Sequence, residues 1–453
     1  MTSLNRSADS LTVAGLGLTL APAPRDRKEL GLPDAFLFDF VLKHLVRARQ
    51  ATVAELGRRT GLAAIIVEPL LSSLREQRAV EVVHRGTVDA QVEFRLTEAG
   101  RHRAGEAFAD SQYCGPAPVT LYDYQARIAK QSLDRSQVGA AEIRNALKDL
   151  VVADDLLEHL GSALNSGRSI YLYGPSGSGK TSLAERMLSA LGGSIHVPHA
   201  IWAGDQIVTV FDPVFHRVAE VPVVEARGLD RATTPDARWV EVKRPVVIVG
   251  GELTLEALEL NYDPVIRTHG APPQLKANGG LLIIDDLGRQ RVSPRDLMNR
   301  WIVPLDRKVD YLTLVSGLRL EMPFDVRVVF SSNLTPAEIA DPAFLRRIGY
   351  KVHVGAMKES AYRAVVRAAC IRHGITIDDT MIDFLIRRLH VRDRQELLPA
   401  IPFDLIEKLL DRARYLGVPV KVSREHLDWA WQLYFGTGGN PALTESATGA
   451  ELK

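Results

Sequence analysis

Residues 169–188 read SIYLYGPSGSGKTSLAERML. The apolar run Ser169–Tyr173 suits a buried strand, and Thr181–Leu188 suits the start of a helix. Between them Gly174, Pro175, Ser176, Gly177, Ser178, Gly179, Lys180 and Thr181 match G-x-x-x-x-G-K-[ST] in full. Glycines let the backbone wrap with its N–H groups turned inward, and the helix N-terminus adds positive potential. The segment therefore predicts a phosphate cradle, continued by Ser182. Lys180 is placed to reach the β- and γ-phosphates of a nucleotide, and the Thr181 hydroxyl to ligate Mg²⁺.

A cradle of this kind needs acidic and polar partners, and the downstream strands supply them. The run GLLIIDDLG (280–288) is a second buried strand ending in two carboxylates, at the end where α/β sheets hold ligands. Asp285 is expected to hold the Mg²⁺ shell, and Asp286 to polarise the attacking water. Glu is commoner at the second position. Asp286 is one methylene shorter, which opens the alternative of a switch with low turnover. A third strand, VRVVFSSN (326–333), ends in Asn333, whose amide can orient the lytic water or serve as an ordinary turn residue. DPAFLRRIGYKV (341–352) then places Arg346 and Arg347 after a short helix.

Working outward, 453 residues predict two or three domains, and the hydrophobic and charged shares (46% and 25%) are those of a globular chain. A formal charge of +1 gives no electrostatic argument for nucleic acid or membrane. Cys114 and Cys370 lack metal-ligand spacing and exclude a disulfide framework, which fits a cytoplasmic location. No run of about 18 apolar residues occurs, so no membrane insertion is expected.

Residues 1–30 read as a disordered lead. Segment 31–112 reads as three helices (34–49, 52–61, 63–78), two strands around a Gly86–Ala90 turn, and a returning helix after LTEAGR (96–101). That order resembles a winged helix-turn-helix domain. Residues 113–140 read as a linker, 141–355 as alternating strands and helices, and 356–436 as all helix, with 437–453 a disordered tail. HAIWAGDQIVTVFDPVFH (199–216) reads as a hairpin turning at Gly204-Asp205. His199 and His216 lack further ligands at metal spacing, so a substrate- or partner-contacting insertion is the better reading of this region.

The order of P-loop, LLIIDD, SSN, FLRR and helical segment resembles the AAA+ superfamily over roughly 141–436. The whole chain is similar to a bacterial group of AAA+ ATPases with an N-terminal winged-helix region. The similarity runs through YCGPAPV, DPVFH, LKANGGLLIIDDLGRQR, NRWIVPLDRKVDYLTL and AFLRRIGYKV. It is looser to MoxR-like relatives, through the DYLTLVSGLRLEMPF hairpin. The resemblance implies an α/β P-loop NTPase with a C-terminal all-helical lid, using ATP and Mg²⁺ in a homo-oligomeric ring or partial ring. It assigns Arg347 to the neighbour's γ-phosphate, with Arg346 as runner-up, and Val151 and Val152 to the adenine slot. The lid's usual sensing arginine is replaced by Phe403, leaving Arg392 or Arg394 as substitutes.

The implied activity is ATP hydrolysis that remodels or assembles protein partners. A DNA-associated ATPase of helicase-loader or transposition-helper type is the alternative, alongside the low-turnover switch. The third helix opens with Ala63, Ala64, Ile65, Ile66 and Val67, not the Arg, Lys, Asn or Gln of a base reader. Protein contact is therefore preferred over DNA.

Overall fold

The computed structural model describes residues 23–84, 92–220, 235–339 and 342–436. Most of the lead, the Gly86–Ala90 turn and the 437–453 tail lie outside them.

The N-terminal unit runs α1 (Asp34–Ala48), β1 (Gln50–Thr52), α2 (Val53–Thr60), α3 (Ala64–Glu76), β2 (Val80–His84), β3 (Glu93–Leu96) and α4 (Glu98–Asp110). Its antiparallel sheet has the order β1-β3-β2. Thr52 starts α2 by a reciprocal cap, its hydroxyl accepting from the Glu55 N–H while the Glu55 carboxylate accepts from the Thr52 N–H. Gly61 ends the helix at φ 69°. Leu37, Phe40, Leu56, Ile66, Val67 and Leu70 close the core. The apolar start of α3 is thus split: Ile66 and Val67 face inward, and only Ala64 and Ile65 are exposed.

Segment 113–140 is no free connector. It supplies β4 (Val119–Thr120), α5 (Leu121–Lys130) and α6 (Ala140–Ala146), the last starting just before the expected domain boundary. After α7 (Asp154–Asn165), β5 (Ser169–Tyr173) and α8 (Lys180–Met187), the chain forms β6 (Ser194–Pro198), β7 (Ala200–Ala203) and β8 (Gln206–Thr209). β7 and β8 make the expected hairpin at Gly204-Asp205. β9 (Trp239–Lys243) pairs with β6. β10 (Val246–Val249), β11 (Asn261–Asp263) and β12 (Thr268–Gly270) follow. One sheet has the order β11-β12-β8-β7-β4, so the former linker is parallel partner to the insertion hairpin. The N-terminal unit docks here. The Phe36 ring lies 4.3 Å from Trp202, and the N–H groups of Ala117 and Gln112 donate to Thr60 and Ile266 carbonyls.

The chain continues through α9 (Pro273–Lys276), β13 (Leu281–Ile284), α10 (Pro294–Arg307), the hairpin β14 (Val309–Thr313) and β15 (Arg319–Pro323), and β16 (Arg327–Ser332). Then come α11 (Pro336–Ile339), α12 (Pro342–Leu345) and β17 (Ile348–His353). The main sheet, β10-β13-β16-β5-β17, is parallel throughout and buried on both faces, which explains the near-continuous apolar runs of its strands. Trp301 and Phe324 anchor the core on one face; Leu160, Leu183 and Met187 pack the other.

The C-terminal segment is helical: α13 (Glu359–Ile371), α14 (Asp379–Phe384) running into a π-turn at Leu385–His390, α15 (Ala400–Leu416) and α16 (Arg424–Phe435). Phe403 packs against this segment's own apolar core. Arg392, one of the two substitutes for a sensing arginine, is engaged by Asp393 and Asp428 at 2.9 and 2.8 Å. Arg394 takes a left-handed φ of 52°.

Candidate nucleotide site

β5, β16 and β13 lie side by side and parallel, so their carboxyl ends open at one rim. The loop leaving β5 can take its path only with glycine at its corners. Gly174 has φ 146°, and a Cβ there would stand 2.1 Å from the Val354 carbonyl oxygen. Gly179, at φ 91°, is the N-cap of α8.

Lys180 opens α8 and folds back under the loop. Its Nζ donates to the carbonyls of Gly174 (3.0 Å) and Pro175 (2.9 Å) and to Asn333 Oδ1 (2.9 Å). Burial pushes its pKa down, and Asp285 and Asp286 oppose that shift. At the next residue, Thr181 Oγ1 donates to Asp285 Oδ1 (3.1 Å) and Oδ2 (2.9 Å). Hydroxyl and carboxylate oxygens at this spacing suit a hard divalent cation. Ser178 Oγ is buried inside the loop with no hydrogen-bond partner, as expected of a cradle built for an anion. The residues present thus fit a nucleotide with Mg²⁺.

Four of the expected side chains meet here, Lys180, Thr181, Asp285 and Asn333, with the Gly174 and Pro175 carbonyls beside them. Others stand apart. Asp286 is exposed, has φ 49°, and faces Arg289 at 3.9 Å. Ser176 and Ser182 are exposed on the loop and on α8. Val152 is half-buried against the core beside α7. Arg347 lies at the opposite end of β5, where its carbonyl accepts from Ser169 Oγ and its Nε donates to Asp306 (2.7 Å). There it lines a cavity of about 720 Å³ with Arg168, Asp306, Lys308 and Arg346. His199 and His216 are packing residues. The His199 ring meets Phe211, and the His216 nitrogens accept from the Asp212 N–H and reach the Lys276 carbonyl.

Other residues shaping the rim had no signal in the sequence. Tyr171 donates its hydroxyl proton to the Leu334 carbonyl (2.8 Å), and Ser332 donates to the Leu287 carbonyl (2.6 Å). From the helical segment, the Ala400 N–H donates to the Gly177 carbonyl at 3.2 Å. These contacts end on backbone groups, which any residue could offer.

Residues 150–315 match the family model described as AAA ATPase domain. That match spans the P-loop, Thr181 and Asp285, but ends before Asn333 and Arg347. Residues 358–433 match a second family model, a domain of unknown function, DUF8689. No curated protein matches the chain. Among solved structures, the Thermotoga maritima RuvB Holliday junction branch migration motor shares 12% identity at TM-score 0.35, covering 66% of this chain and 72% of that one. NtrX from Brucella abortus in complex with ADP shares 16% at TM-score 0.38, covering 73% and 65%. Likeness at that level carries no inference about function. Among the described residues no helix is long and apolar enough to cross a membrane.

Proposed function

We propose that the chain is an AAA+ ATPase that binds ATP with Mg²⁺ and hydrolyses it at interfaces between its own copies, working on protein partners. The observation that carries this reading is the convergence of Lys180 with Asn333, and of Thr181 with Asp285, at the rim of one parallel sheet. Lys180 exchanges its loop carbonyls for phosphate oxygens when nucleotide arrives. Thr181 and Asp285 would hold the cation, which would supply charge neutralisation for phosphoryl transfer. Asn333 keeps its amide on the γ-phosphate side and orients water. Val152 borders the adenine. Lys180→Ala should abolish tight binding of a fluorescent ATP analogue in a folded protein; unchanged affinity would remove the reading.

Arg347 supports a multi-subunit site because it lies at the far end of β5 from its own loop. Its guanidinium is then available only to a nucleotide on another copy, in a ring or partial ring. Asp306 holds it meanwhile, and Arg346 lines the same cavity.

The N-terminal unit fits the winged-helix pattern by element order, and the helical segment fits a lid. For the former, protein contact is better supported than DNA reading. The outward residues of α3 are Ala64, Ile65, Glu68, Pro69, Ser72, Arg75 and Glu76, with one base against two acids and no basic or amide side chain in the first turn. The turn entering α3 is also covered, since a Cβ on Gly61 would meet Pro116 and Ala237 at 3.2 and 3.3 Å. Stimulation of hydrolysis by duplex DNA would turn the reading toward the DNA-associated alternative.

One observation favours the low-turnover switch as a second reading: Asp286 points to solvent and Arg289 rather than into the Lys180–Thr181 cluster. Asp286→Glu extends the carboxylate by one methylene. If the short side chain limits water activation, the steady-state ATPase rate rises about tenfold or more. No change would leave Asp286 outside the chemistry.

A further inference from the structure

We propose that Gln290 is the positioning residue that holds the Asp285 carboxylate against the Thr181 hydroxyl. The proposal rests on reading this rim as a Mg²⁺–nucleotide site.

The local problem is one of backbone satisfaction. The last rung from β10 is the Asp285 N–H donating to the Val249 carbonyl at 2.8 Å. Beyond it the chain turns sharply through Asp286 at φ 49° and Gly288 at φ 106°. The Asp285 carbonyl and the Gly288 N–H pass out of the ladder there, while the Gly250 carbonyl already accepts from the Leu253 N–H at 3.2 Å. A backbone group left unpaired in such a place costs about as much as a lost hydrogen bond. Gln290, 9% exposed, meets both with one amide. Its Nε2 donates to the Asp285 carbonyl (3.0 Å) and the Gly250 carbonyl (3.3 Å), while its Oε1 accepts from the Gly288 N–H (2.8 Å).

Only a carboxamide of this length serves. Flipping it would set an oxygen against two carbonyl oxygens. Glutamate would do the same and add negative charge beside Asp285; methionine would fill the space with no donor.

The opposite side of the turn is tied to β16, through the Leu287 N–H to the Ser331 carbonyl (2.8 Å) and Ser332 Oγ to the Leu287 carbonyl (2.6 Å). Beyond the backbone rungs, Gln290 thus adds a side-chain tie toward β10 and Ser332 one toward β16. Asp286, a non-glycine residue in the left-handed region, keeps that conformation only while its surroundings over-determine it. Releasing the β10 side lets the 285–286 peptide rotate, and the Asp285 carboxylate moves with it. Gln290 acts through Asp285, not by contact with nucleotide or cation.

The test separates cation binding from nucleotide binding. Full-length wild type and the Gln290→Ala, Gln290→Met and Gln290→Glu variants are titrated with a fluorescent ATP analogue in EDTA, then with Mg²⁺ at fixed analogue. Thermal unfolding confirms that each is folded. The Mg²⁺ concentration for half-saturation should rise about tenfold in the Ala and Met variants, and further in Glu. Affinity in EDTA should stay within about twofold, a shift of under ~0.5 kcal/mol. A folded Met or Ala variant with the wild-type Mg²⁺ midpoint overturns the proposal. So does an equal loss in EDTA and in Mg²⁺, which would mark general damage to the loop. If Lys180→Ala binds the analogue like wild type, the site reading itself has failed. If it loses binding while the Gln290 variants keep the wild-type Mg²⁺ profile, only the role of Gln290 is lost.

Discussion

Gly174→Ala tests whether the loop after β5 is the shaped anion cradle its geometry describes. The new Cβ would lie 2.1 Å from the Val354 carbonyl oxygen, against an ordinary contact distance of about 3.5 Å. Val354 cannot yield easily, because its N–H donates to the Tyr173 carbonyl at 2.8 Å. The loop must therefore move by about 1 Å, and the residue at φ 146° carries a further strain of about 1–3 kcal/mol. A displacement of about 1 Å at a site of aligned donors costs about 100-fold. Affinity for a fluorescent ATP analogue should fall by that factor, about 2.7 kcal/mol. Gly193→Ala is the control: it is also left-handed (φ 73°), but nothing lies within 4 Å of its Cβ. It should bind like wild type. Wild-type affinity in a folded Gly174→Ala protein would refute the reasoning, as would an equal loss in the control.

Arg347→Ala should keep ATP binding yet lower hydrolysis by about 10³-fold. Mixing it with Lys180→Ala should restore part of the rate if both co-assemble, as judged by light scattering; a wild-type rate from Arg347→Ala alone would end the trans-acting role. A pH effect is expected in the N-terminal unit. Burial pushes the His44 pKa down from 6.5 to about 4, while its Nε2 meets the Gly115 carbonyl. The folded state therefore resists protonation that the unfolded chain accepts. Stability is complete above pH 6.5 and falls by about 3 kcal/mol as pH drops toward 4. His44→Gln, which keeps a donor but does not titrate, should flatten that component in urea unfolding at pH 7 and pH 4.5.

The site was legible where backbone geometry dictates residue type. A loop that must wrap a phosphate needs its glycines and its Lys180-Thr181 pair at fixed spacing, and a buried parallel strand must be apolar until it ends, which exposes Asp285. The second sheet was not legible. β4 is only two residues long, and its partner Ile201 comes far downstream, so no periodicity connects them. Segment 113–140 consequently read as a linker. Arg392 gave no sign that Asp428 engages it, since that pair forms between separate elements. The exposure of Asp286 was equally hidden, because the left-handed turn that produces it falls on a residue with a side chain, not on a glycine.

The position of β5 also governs when the cradle can exist. Both of its neighbours in the main sheet, β16 and β17, come far later in the chain. The N-terminal unit closes its own core early, from contacts made within one stretch. The strand that carries the P-loop, in contrast, has no partner until β16 has left the ribosome, and lacks its second until residues 348–353 have followed. Pairings of such long sequence separation form slowly and leave unpaired strand edges exposed. A nascent chain stopped anywhere before β17 therefore carries the full nucleotide motif without one side of its supporting sheet, and Gly174 has no Val354 carbonyl to pack against.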